Sequence, residues 1–169
     1  MGIGSFAYNL VLLLHVLSAI IGFGGVMLNG VYASRARALP PEQALAVNEV
    51  NTFVSLRIAE WFIYLVPIWG FGLVGLSDGV IEFSETWVWL SILLYAVALA
   101  ASLLAMQPRV RRMLVLQREM VAARPPAGGP PPQASQLEAL GKQVGAISGI
   151  LHLSMVVVLA LMIWKPGAA

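Results

Sequence analysis

The chain has 169 residues, of which 59% are hydrophobic and 11% charged, with a net charge of +2. A soluble domain carries roughly 25% charged residues, so a surface facing water all round is excluded and one lipid-embedded domain is expected. With no cysteine, disulfides, thiol catalysis and cysteine-based metal sites are excluded as well.

The first apolar run extends from about Ser5 to Ala33 and stops at Ser34-Arg35-Ala36-Arg37. No basic segment precedes it and no cleavage-site pattern follows, so it reads as a retained helix and not a signal peptide. Pro40-Pro41-Glu42 then predicts a break, followed by a short interfacial helix to about Asn51. Further apolar runs cover about 54–76, 86–106 and 144–164. Each reaches the roughly 20 residues that cross a hydrocarbon core as an α-helix. The expected fold is therefore an all-α, antiparallel four-helix transmembrane bundle. Its second helix should be kinked at Pro67, with Gly70, Gly72 and Gly75 beyond.

Charge placement orients the bundle. Arg35, Arg37 and Arg57 flank the first connection, and Arg109, Arg111, Arg112, Arg118, Arg124 and Lys142 flank the third. The other side carries Lys165 alone among Lys and Arg. By the positive-inside rule both termini face outward, across what reads as a bacterial inner membrane. Asp78, Glu82 and Glu85 fill the outer 77–85 connection, and Trp87, Trp89 and Trp164 fall at the same interface. On the inner side, 109–121 alternates basic and apolar residues, as in a surface-lying helix near anionic lipid. Residues 123–136, rich in Pro and Gly, read as a flexible cytoplasmic linker. The basic residues form no aromatic-interleaved patch, so nucleic acid is excluded as a partner and the bilayer is the expected one.

Polar and small residues mark the helix faces. His15, Ser18, Gly22, Gly25 and Asn29 recur at steps of three and four, as do Gly141, Gly145, Gly149 and His152. Such stripes let helices approach closely. His15 falls roughly 12 Å and His152 roughly 18 Å below the outer end, counting 1.5 Å per residue. Two imidazoles at similar depth could hold a b-type haem or a metal ion, or each could hydrogen-bond a neighbouring helix. Arg57 and Glu60, one turn apart, could pair with each other or with another span, or act as a gate or proton relay. Tyr95, near mid-span, should point into the bundle. The methionines are dispersed, and no dedicated metal site, phosphate loop or catalytic constellation is legible, so catalytic residues remain unassigned.

Leu14-His15-Val16-Leu17-Ser18-Ala19 followed by Gly22-Phe23-Gly24-Gly25, with Leu94-Tyr95 leading into Gln107-Pro108-Arg109-Val110-Arg111-Arg112, resembles an uncharacterised bacterial four-helix integral membrane protein family. That resemblance implies a four-span bundle and no established activity. The opening is also similar to copper-resistance D-type membrane proteins and to membrane-bound protoporphyrinogen oxidase of the HemJ type. The latter similarity implies haem held by a first-span histidine, here His15, with a third-span lysine that this chain lacks.

Three readings follow. The first is a non-enzymatic membrane protein, an accessory or assembly subunit of a homo-oligomer or larger complex. The second is a haem-b-binding redox protein or HemJ-like oxidase using His15, with His152 as second ligand. The third is a small-solute or ion permease built around Arg57, Glu60 and the Pro67 kink.

Overall fold

The computed structural model describes residues 2–123 and 132–168. Regular structure among them is entirely helical. Four long helices form: α1 (Phe6–Ala36), α2 (Pro41–Leu76), α3 (Thr86–Ala122) and α4 (Pro132–Trp164). Each contains one of the expected apolar runs and is long and apolar enough to cross a bilayer. Large apolar side chains such as Leu13, Ile20, Trp61, Leu104 and Ile163 are exposed on their outer faces. A water-soluble protein would bury such a surface; here it is the surface that meets lipid.

The helices run past the apolar segments. The stretch from Pro41 to Asn51, expected as a separate short helix, forms the first turns of α2, with Pro41 at the helix start where its missing N–H costs nothing. The segment 109–121 likewise continues α3, and it packs on Pro41–Phe53 and on α4. Of the expected 123–136 linker, residues 124–131 lie outside the described residues, and 132–136 belong to the start of α4. Pro67 sits within the uninterrupted helical run Glu60–Leu76.

Two hairpins make up the bundle. α1 packs along α2, and α4 packs along α3. The hairpins join chiefly where Pro41–Phe53 meets Gln107–Ala122. There Asn48 donates to Gln117 (3.2 Å) and Arg118 pairs with Glu49 (2.7 Å).

Both termini lie at the opposite end. Gly2 approaches Asp78 in the connection between α2 and α3, and Gly167 lies against Thr86 at the start of α3. Fully buried Ser77 knits this connection, its Oγ 2.8 Å from the Val74 carbonyl and accepting the Ile81 N–H at 3.0 Å. The Lys165 ammonium sits 5.4 Å from the centre of the buried Trp87 ring, whose indole N–H donates to Glu85.

Candidate functional site

The α1–α2 interface depends on missing side chains. A Cβ on Gly22 would lie 2.9 Å from Ile63 Cγ1, and one on Gly25 would lie 2.8 Å from Ala59 Cβ. Real atoms do not approach so closely, so glycine at both positions sets the helix separation. Ser18 is buried on the same stripe, and Asn29 accepts a hydrogen bond from Ser55 at 3.0 Å.

His15 uses this closeness. Its Nδ1 lies 2.9 Å from the Val66 carbonyl, beside Gly70, where even a methyl would come within 3.4 Å of the ring. A carbonyl only accepts, so the neutral imidazole carries its proton on Nδ1 and presents a bare Nε2. Nε2 has no hydrogen-bond partner among the described residues.

Pro67 creates a second attachment point. It has no N–H, so the carbonyl four residues earlier, that of Ile63, loses its helical donor. Tyr95 on α3 supplies one, its hydroxyl donating to that carbonyl at 2.6 Å while its ring meets Phe23 edge-on. Tyr95 thus points into the bundle and ties the hairpins together.

Between the hairpins lies a cavity of about 1260 Å³, walled by all four helices. Toward the termini its wall is largely apolar: Leu12, Val16, Val158, Leu159 and Met162, with His15 among them. Toward the arginine-bearing end Asn48, Asn51, Glu60, Gln107 and Gln117 join apolar residues such as Met113, Leu114 and Val121 on the wall.

Glu60 and Gln107 face each other in this polar stretch. The Glu60 Oε1 accepts from the Gln107 side-chain amide and from the Tyr64 hydroxyl. Gln107 is itself buried and accepts in turn from Arg111 at 3.4 Å. A π-helical stretch precedes each partner: Val54–Ala59 ends just before Glu60, and Ser102–Met106 just before Gln107. The extra residue in such a turn rotates everything beyond it by about 100° relative to a regular α-helix. Arg57 lies within the first of these stretches and Glu60 just beyond it. Arg57 is exposed and forms no hydrogen bond or ion pair among the described residues, so the two do not pair.

His152 also lines the cavity, with Nδ1 3.3 Å from the Ser148 hydroxyl. Each imidazole thus has a hydrogen-bond partner of its own, the Val66 carbonyl for His15 and the Ser148 hydroxyl for His152, and the two share one cavity wall. No group of three or more His, Asp or Glu able to hold a metal ion occurs among the described residues. On α4, Gly141 lines the cavity, but Gly145 and Gly149 lie off its wall with nothing within 4 Å of an added Cβ.

Sequence reasoning missed Gln107, Tyr64 and the Ile63 carbonyl. The carbonyl had a signal in the position of Pro67; Gln107 had none, because its role depends on the π turn before it.

A family model described as predicted integral membrane protein (DUF2269) matches residues 9–166, and the chain belongs to that family. No curated protein matches the chain, those of the copper-resistance D and HemJ types included, and no solved structure does.

Proposed function

From membership of this integral membrane protein family, and from the cavity between its hairpins, we propose that the chain holds one long amphipathic molecule of the bilayer. The observation carrying this reading is the gradient along a single cavity wall, apolar beside Leu12 and Met162 and polar beside Asn48 and Gln107. Pockets for compact ligands measure about 300–1,000 Å³, and this one is larger and follows the helix axes. A molecule with a long hydrocarbon body and a polar head matches it. The head would lie at the arginine-bearing end.

The eight described Lys and Arg residues toward that end support a cytoplasmic placement, with both termini outside and the chain in a bacterial cell membrane. A cysteine-free chain makes this simple to check. A single cysteine placed at position 168 should react with an impermeant maleimide from outside intact cells, and one at Ala38 should not.

Native mass spectrometry of the detergent-purified protein tests the ligand reading. The wild-type chain should retain a long-chain amphipathic adduct, and Ala98→Trp, which fills the cavity wall, should lose it. A bare polypeptide mass under gentle release would overturn the proposal. An accessory-subunit role has a separate support in α4: none of its most apolar 18-residue window is buried, so that face is open to another protein's helix.

A further inference from the structure

Glu60 is a carboxylate without a bonded cation. Its two hydrogen-bond donors, Tyr64 and Gln107, are neutral. Glu49 pairs with Arg118 and Glu138 with Lys142, and both are exposed pairs. Arg111 stops one step short, at the Gln107 carbonyl oxygen, and Arg57 is exposed with no ion pair among the described residues. Both donors to Glu60 end on Oε1, and Oε2 has no partner among the described residues. Glu60 is on the cavity wall, at the polar end.

A carboxylate held in a membrane interior is costly unless something offsets its charge. The local backbone reinforces the point. Two π-helical turns, a rare feature concentrated at functional sites, aim Glu60 and Gln107 at each other from different helices. Such an arrangement fixes one carboxylate oxygen and leaves the other without a partner among the described residues, on a side chain that lines the cavity.

We propose that the molecule held between the hairpins carries a positively charged amine head and that Glu60, through Oε2, is its counter-ion. Tyr64 and Gln107 hold the carboxylate in place. This inference rests on the ligand-binding reading above and adds the chemical class of the head group.

The test uses the full-length protein in phosphatidylcholine nanodiscs at neutral pH. Three spin-labelled octadecyl chains, ending in an amine, a hydroxyl or a carboxylate, are compared by the fraction whose motion is restricted by protein. The wild-type protein should bind the amine at least about tenfold more tightly than the alcohol, the ratio expected of one charge-assisted hydrogen bond. The acid should bind weakest. The net charge of +2 opposes a nonspecific preference for the amine. Glu60→Gln should bring the amine down to the level of the alcohol. If that variant does not fold, the wild-type comparison decides alone. An alcohol bound as tightly as the amine, or an amine preference that survives Glu60→Gln, overturns the inference while leaving the ligand cleft standing. If no probe is restricted beyond the lipid background, and Ala98→Trp changes nothing, the cleft reading itself fails.

Discussion

Tyr95 donates its hydroxyl proton to Ile63 O, the carbonyl that Pro67 leaves without a helical donor, across the boundary between the two hairpins. The proline and the tyrosine are therefore one device on two helices. Removing the hydroxyl by Tyr95→Phe should cost about 1–2 kcal/mol, since the orphaned carbonyl has no water to turn to. In a Pro67→Ala background the new N–H satisfies Ile63 directly, and Tyr95→Phe should then cost almost nothing. A double-mutant cycle in detergent unfolding measures this coupling; additive costs would show that the hydrogen bond carries no weight.

Glycines of similar appearance should behave oppositely. Gly22→Ala and Gly25→Ala force a methyl to within 3 Å of Ile63 or Ala59, so α1 and α2 must separate. Each should lose roughly 1–3 kcal/mol, as overpacked sites do. Gly145→Ala and Gly149→Ala meet nothing within 4 Å and should be neutral, or more stable by up to about 1 kcal/mol through helix propensity. Thermal melts of the four variants separate the two classes.

Ser91 is buried on α3, and its hydroxyl has no hydrogen-bond partner among the described residues. A buried unpartnered hydroxyl costs about 1–3 kcal/mol. Ser91→Ala should therefore raise the melting temperature, and a marked fall would reveal a partner for the hydroxyl.

At the terminal end, the Glu82 backbone N–H, then the Trp87 indole and the Lys165 charge, hold the half-buried Glu85 carboxyl below the usual carboxylate range. A depressed folded-state pKa contributes stability above the ordinary value and loses it as pH falls through the depressed one. Wild type should thus melt higher than Glu85→Gln at neutral pH, and the gap should close on acidification below about pH 4, the range where free glutamate titrates. A gap that stays constant with pH would assign the difference to something other than charge.

The four spans were readable because lipid demands long apolar helices, and hydropathy reports that demand directly. Helix ends were not, because hydropathy marks only the lipid-facing length. Pro41–Phe53 and 109–121 are polar enough to look separate, yet each is held to the other by Asn48–Gln117 and Arg118–Glu49, contacts between distant parts of the chain. Both histidines stood out as ionisable residues in apolar runs and both line the cavity; the Val66 carbonyl that His15 bonds belongs to another helix, so spacing along α1 carries no sign of it. Arg57 and Glu60 were assigned a regular α-helical spacing. The π stretch that contains Arg57 ends just before Glu60, and Val-Ser-Leu-Arg-Ile-Ala carries no local sign of it. Glu60 itself stood out as an ionisable residue in an apolar run; its partner Gln107 did not.

The most direct measurement of the central claim is photolabelling in native membranes with a long-chain alcohol bearing a diazirine at the tail, followed by peptide mapping. Label should concentrate on cavity-wall residues such as Met155, Val158 and Met162, and Ala98→Trp should abolish it there. Label confined to outward residues such as Ile150, Leu153 and Ile163, unchanged in Ala98→Trp, would show that no ligand occupies the space between the hairpins.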